Sequence, residues 1–201
     1  MKVAVERRSV RRLLRWCQIA LLAAAAGALG YCAFVLADIW MFQRQASRIL
    51  NPLHLQPAPP PSPDASAMGG LAGRIEIPRL GLSVVIAEGT DEATLRHAAG
   101  HIEGTGLPGR SGNVGIAGHR DTLFWPLRNI QQDDMITLTT LQGEYRYRVV
   151  STKIVSPSDV AVLNPDGNEI LTLVTCHPFY FIGPAPNRFI VRAERMKEGR
   201  T

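Results

Sequence analysis

From Trp16 to Ala37 the chain presents 22 consecutive uncharged residues, WCQIALLAAAAGALGYCAFVLA, bounded by Arg15 and Asp38. As a helix at about 1.5 Å per residue this run spans about 33 Å, enough to cross the hydrocarbon core of a bilayer. No polar stripe interrupts it, so it does not read as the one-sided surface helix of a globular domain. A cleaved signal peptide is the competing reading, but its apolar stretch would be shorter. The pattern predicts an uncleaved transmembrane anchor over residues 16–37.

The segment that follows reads as a spacer. Asp38 to Leu50 continues as a short helix or a juxtamembrane stalk, and then NPLHLQPAPPPSPDASAMGG carries prolines at 52, 57, 59, 60, 61 and 63. Proline at that density is incompatible with a helix interior or a central strand and favours an extended, semi-rigid linker. Residues 38–70 are therefore expected to hold a folded domain away from the anchor.

From about Leu71 the texture changes to short apolar runs punctuated by Gly, Pro, Asn and Asp. Strands are predicted at Gly73–Ile77, Ser83–Glu88, Asn113–Ala117, Met135–Thr140, Glu144–Ile154, Glu169–Thr175 and Arg188–Glu194. The run EYRYRVVSTKIV alternates and is rich in β-branched and aromatic residues, with a hairpin turn expected at Gly143 before it. A helix is predicted over Asp91–Ala99, capped by Thr90 or Asp91, and a shorter helical turn near Leu123–Asn129. Seven or eight short strands with so few helices predict an all-β domain, a closed or nearly closed barrel, over residues 71–196. Residues 197–201 are left as a C-terminal tail.

Charge changes the picture at one point. The chain carries a net charge of +5, which would suggest a nucleic-acid partner if it were spread over the domain. Residues 1–15 hold Lys2, Arg7, Arg8, Arg11, Arg12 and Arg15 against the single acid Glu6, so the remainder is formally neutral. A domain that neutralises phosphates needs its own surplus of Lys and Arg, so no nucleic-acid partner is expected. A basic cluster ahead of an apolar span instead places the N-terminus in the cytoplasm and the rest of the chain outside.

Three cysteines remain: Cys17 and Cys32 lie in the apolar run, which leaves Cys176 alone in the predicted domain. A lone thiol there has no partner for an internal disulfide, so it is a buried small hydrophobe, an intermolecular link or a reactive group. It ends the apolar run EILTLVTC and precedes His177-Pro178, where a strand tip can hold a side chain rigidly yet reach solvent.

A reactive thiol needs a base to form thiolate and a proton donor for the leaving amine. Of five histidines, His54 lies in the linker, His97 in the predicted helix, and His101 in a loop where a supporting hydrogen bond is the plain reading. His177 adjoins the cysteine and points away from it if the strand continues. His119, in GIAGHRDT, sits at a Gly-flanked strand end and is the favoured partner. A guanidinium suits oxyanion or carbonyl stabilisation because it stays charged and offers several donors. Arg188 opens the last strand beyond the cysteine loop and is slightly favoured over Arg110, Arg120 and Arg128. Pairing His119 with Asp121, or His97 with His101, would leave a metal without a third ligand, and Asp133-Asp134 reads as a turn; no metal and no cofactor are expected.

These segments carry a family resemblance. TLVTC at Thr172–Cys176 resembles the sortase signature Thr-Leu-x-Thr-Cys, GIAGHRDT resembles the family's histidine segment, and NRFIVRAE its arginine segment. The order agrees: His119, the cysteine 57 residues later, and the arginine 12 beyond that. GRIEIPRLGL and PLRNIQQDDMITL extend the similarity to roughly residues 72–195, and CHPFYFIGPAPNRF is most similar to class D. His177 departs from the pattern, where a tyrosine is usual.

The resemblance implies a sortase-type closed eight-stranded β-barrel and a thiol transpeptidase. Cys176 would attack the threonine carbonyl of a C-terminal Leu-Pro-x-Thr-Gly-like sorting signal, His119 would protonate the departing amine, and Arg188 would hold the substrate and oxyanion. Thr175 is a candidate substrate contact. The thioester would then pass to an amine acceptor, so the expected partners are sorting-signal proteins and an amine nucleophile. Two alternatives stay open: a cysteine protease that hydrolyses the same signal, told apart by whether an added amine is incorporated, and a non-enzymatic membrane-tethered β-barrel adaptor.

Overall fold

The structure is a computed structural model that describes residues 2–50, 71–165, 167–181 and 183–196. The proline-rich linker and the C-terminal tail fall outside the described residues. By its internal contacts the chain divides into two units, Met1–Met41 and Phe42–Thr201.

The first element, α1, is a continuous helix over Lys2–Leu50. Residues Arg12–Arg44 within it form a stretch of mean hydropathy 2.2 that is long and apolar enough to cross a membrane. The helix thus extends well beyond the charge-free run in both directions. Its flanks contain mostly Arg, Leu, Gln, Ala and Met, residues that lose little rotamer freedom in a helix, with no proline before residue 52.

The second unit is an eight-stranded closed barrel. Its strands are β1 (Leu71–Ile77), β2 (Leu82–Glu88), β3 (Ala99–His101), β4 (Gly112–Ala117), β5 (Met135–Thr140), β6 (Gly143–Val155), β7 (Glu169–His177) and β8 (Asn187–Arg195). They run in the order β1-β2-β3-β4-β7-β8-β6-β5, and β5 pairs back onto β1. The pairs β2–β3 and β4–β7 are parallel and the other six antiparallel. A parallel pair needs a crossover, and here β4 and β7 are joined only through the whole β5–β6 hairpin. That detour brings GIAGHRDT beside EILTLVTC.

The barrel is filled by every second residue, as strand geometry requires. Val114 and Ile116 from β4, Leu171 and Leu173 from β7, and Val191 and Ala193 from β8 are all buried in one core. The outer face of β4 and β7 is covered as well, by a 3-10 turn at Val160–Leu163. Asn113 donates to the Val162 carbonyl (3.0 Å) and accepts from the buried Thr172 hydroxyl (2.7 Å). Gly115 packs closely there: a Cβ would come within about 3.0–3.2 Å of the Thr105, Leu163 and Ile102 side chains, which would have to give way slightly.

Two elements differ from the expected pattern. The predicted helix Asp91–Ala99 is realised as α2, Glu92–His97, with the Asp91 carboxylate accepting from the Thr94 N–H at 3.0 Å. It stops early because Ala99, Gly100 and His101 are taken into β3, parallel to β2. Gly100 permits this: a Cβ would lie 2.2 Å from the Gly89 carbonyl oxygen. A three-residue strand has no room for an alternating signature, so the pattern alone could not reveal it. The second helical segment is a 3-10 helix over Trp125–Asn129, and Asp133 turns the chain into β5 with φ +68°.

Candidate active site at the ends of three strands

β7 continues two residues beyond its predicted end, because the ladder to β8 persists after the apolar run stops. In that ladder Cys176 stands directly opposite Arg188, and His177 opposite Asn187. Directly opposed residues of an antiparallel pair point to the same face, with Cβ atoms about 4.5–5.5 Å apart. The thiol and the guanidinium therefore share one face by strand register alone. Both are half-buried, and Cys176 is a free thiol.

On the other edge of β7, the parallel register with β4 runs to Ala117↔Val174. The Gly118 N–H donates to the Val174 carbonyl (3.1 Å), and the Thr175 hydroxyl donates to the Gly118 carbonyl (2.7 Å). These two bonds carry the β4 chain past its last paired residue and bring His119 to the level of Cys176. His119 is itself exposed, and its carbonyl accepts from the Phe124 N–H at 2.9 Å. Phe124 is fully buried beneath this turn, and Gly118 makes room for it: a Cβ there would meet the ring at 2.7 Å.

Thr175, the candidate substrate contact, has a hydrogen-bond partner within the fold. It is 2% exposed, lies on the core side of β7 opposite to Cys176, and commits its hydroxyl proton to Gly118. Its side chain therefore ties the histidine segment to the cysteine strand from beneath.

His177 faces away from the thiol, as strand alternation predicts. Its ring stacks on Phe189 (centroids 6.2 Å, 26°) and meets Phe179 edge-on (6.0 Å). The remaining histidines of the domain stay apart from the thiol in the fold. His101, 5% exposed, bonds the Glu88 carboxylate (2.9 Å) through Nδ1 and the Gly106 carbonyl (3.0 Å) through Nε2, closing the loop after β3.

Arg188 donates through Nη1 to the Ala185 (3.3 Å) and Asn187 (3.1 Å) carbonyls, and among the described residues it has no carboxylate partner. Its other donors remain available on the face it shares with Cys176. Of the competing arginines, Arg128 lies over the Trp125 ring (4.1 Å) and Arg120 is buried against the loop that follows β7. Among the described residues no group of three or more His, Cys, Asp or Glu side chains is placed to hold a metal.

Away from Cys176 the outer face forms a trough. Register puts Val174 and Thr172 on β7, Ile190 and Arg192 on β8, and Lys153 and Ser151 on β6 in successive rungs. Ser151, Lys153, Thr172, Ile190 and Arg192, with Val162 of the 3-10 turn, line a depression of about 190 Å³. A larger depression, about 330 Å³, lies around Glu169 and Arg195. It sits at the opposite end of β7, about 20 Å from the thiol at the rise of an extended strand, and does not belong to this site.

A thiol, an imidazole and a guanidinium thus lie at the ends of three adjacent strands of an eight-stranded barrel. The Sortase domain family model matches residues 75–196, and the chain belongs to the sortase family. Within the family it is 35% identical over 129 residues to Sortase D of Bacillus subtilis (strain 168), covering 64% of this chain and 65% of that protein. It is 32% identical over 110 residues to Sortase A of Listeria monocytogenes, covering 53% of this chain and 49% of that one. The chain thus spans just under two thirds and about half of the length of these relatives. Among solved structures, a Sortase D5 transpeptidase of Clostridium perfringens superposes with a TM-score of 0.58 at 34% identity, covering 63% of this chain and 79% of the other. Sortase C1 of Streptococcus agalactiae superposes with a TM-score of 0.60 at 33% identity, covering 64% and 69%.

Proposed function

We propose that the protein is a membrane-anchored cysteine transpeptidase acting on proteins that end in a Leu-Pro-x-Thr-Gly-like sorting signal. The observation that carries this reading is the rung pairing Cys176 with Arg188, with the His119 segment bonded to the other edge of the same strand. The Cys176 thiolate attacks the threonine carbonyl carbon, and the negative charge that moves onto the carbonyl oxygen is met by the Arg188 guanidinium. Collapse of the adduct breaks the Thr–Gly C–N bond, and the departing amine takes a proton from the His119 imidazolium. The thioester is then attacked by an acceptor amine, whose proton passes to His119 as the Cys176 thiolate leaves. Thr175 serves as a positioning residue through Gly118. The trough along β7 and β8 is the path for the residues that precede the threonine.

The span in α1 supplies the anchor, with residues 1–15 cytoplasmic and the barrel outside, because the basic cluster precedes the apolar run. Incubating the full-length protein in detergent with peptides varied around Leu-Pro-x-Thr-Gly, plus hydroxylamine, tests the reaction. A threonine hydroxamate formed by the wild type and absent with Cys176→Ala supports transpeptidation. Cleavage to the free acid with no hydroxamate would make the protein a hydrolase, and no cleavage by folded protein would leave the adaptor reading.

A further inference from the structure

His119 is exposed, so packing around its own ring holds it less firmly than it would a buried side chain. A group that must meet a thiol within hydrogen-bond reach has to be held by its neighbours instead. On the N-terminal side Gly118 does this through both of its backbone groups, as described above. On the C-terminal side the structure offers one side chain, Arg120.

Arg120 is 8% exposed although it sits in a loop of polar residues. Its Nη1 donates to the Pro178 carbonyl (2.9 Å), and its Nη2 to the Phe181 (2.6 Å) and Gly183 (3.1 Å) carbonyls. The Phe181 ring lies 5.9 Å from the guanidinium carbon. Among the described residues no carboxylate neutralises this cation. Burying a guanidinium away from water is expensive, so its donors must be answered, and here they are answered by backbone carbonyls alone.

Those carbonyls belong to the chain between β7 and β8, which begins two residues after Cys176 and ends just before Arg188. That nine-residue connection contains only one internal backbone hydrogen bond among the described residues, a long one from the Phe181 N–H to the Pro178 carbonyl (3.4 Å). The β7–β8 ladder fixes where the loop starts and stops, but not how its middle lies against the His119 segment. A planar fork that reaches three carbonyls spread over six residues does fix it. A lysine ammonium is a compact point charge and lacks that span.

Resting on the transpeptidase reading of the site, we propose that Arg120 is a positioning residue that clamps the Cys176–Arg188 loop to the His119 segment and so sets the geometry of all three groups. The side chain touches neither substrate nor reacting atoms. It acts through the backbone on both of its sides.

The test compares full-length wild type, Arg120→Lys and Arg120→Met in detergent. The turnover rate is expressed per active site, counted with a covalent thiol-directed peptide inhibitor, so that any unfolded fraction drops out. The clamp predicts that kcat per titrated site falls about 10- to 100-fold in both variants, as small misplacements of reacting groups do, with KM changed much less. It also predicts an altered pH profile of kcat/KM and faster amide exchange over residues 118–122 and 178–183. A kcat per titrated site equal to wild type in both variants would reduce Arg120 to a purely structural role. Full activity in the lysine variant alone would replace the clamp with a simple charge effect. Should the wild type itself not turn over, the transpeptidase reading fails on its own account. The exchange data then decide the clamp, and unchanged protection over 178–183 in both variants overturns it.

Discussion

Cys176 and Arg188 occupy one rung of an antiparallel ladder, so their proximity is a property of backbone register rather than of flexible side chains. Shortening or reshaping the guanidinium should therefore be felt directly. Arg188→Lys keeps the charge but loses the fork, and is expected to lower kcat/KM of the hydroxylamine reaction by up to about 100- to 1000-fold, the range seen when one oxyanion donor is removed. Thr175→Val tests the other edge of β7. It leaves the Gly118 carbonyl without its 2.7 Å donor in a buried setting, which should cost about 1–3 kcal/mol in urea unfolding. It should also lower turnover, because His119 is the next residue. The three candidate groups were named in the sequence through the family motifs, whereas composition and spacing alone left His119 and Arg188 among competitors. The role of Thr175 was not legible: nothing in TLVTC says which face of the strand the threonine takes until the register is known.

At the scale of elements, the turn after β4 depends on Gly118 and Phe124 fitting together. Gly118→Ala would drive a methyl to 2.7 Å from a fully buried ring, so the turn or the core must shift. A loss of about 1–3 kcal/mol is expected from such overpacking, read as a lower urea midpoint and a proportionately larger loss of activity. The turn into β5 carries a pH signature. The Asp134 carboxylate pairs with the Arg79 guanidinium and accepts from the Gln131 N–H (2.8 Å), which holds its pKa below the ordinary carboxylate value despite burial. A lowered folded pKa means the unfolded chain takes up the proton first as pH falls. The pair's contribution is thus complete above the ordinary aspartate pKa near 4 and is lost as pH drops through the lower folded value. The stability gap between wild type and Asp134→Asn should be widest at neutral pH and close as pH falls below the ordinary aspartate range. Alternation and punctuation revealed most strands, because seven of them are long enough to show a period. β3 and the 3-10 turn at Val160–Leu163 escaped, one for its three residues and the other because VAVL has no period at that length.

For the whole molecule, the chain separates an apolar helix from a barrel whose charges balance, and the two make different demands on an experiment. The candidate span in α1 predicts that the protein stays with membranes through high salt and alkaline washing and is released by detergent. Release by salt alone would contradict an apolar span. A closed or nearly closed barrel was expected from the number of short strands, but the pairing that closes it, β5 returning to β1 across more than sixty residues of chain, is visible only in the fold. The fold also shows why closure places the site: β4 and β7 are parallel neighbours, so the ends of both strands fall at the same rim.

The central claim is that Cys176 forms an acyl-enzyme with the threonine of a sorting signal. The most direct measurement is to mix the full-length protein with a Leu-Pro-x-Thr-Gly peptide in the absence of an amine, quench in acid within seconds, and map the mass adducts residue by residue. The account predicts one adduct on Cys176 whose mass ends at the threonine acyl group, absent from Cys17 and Cys32, and discharged by added hydroxylamine. A cleaved peptide with Cys176 unmodified at every time point, or cleavage that survives Cys176→Ala, would contradict it.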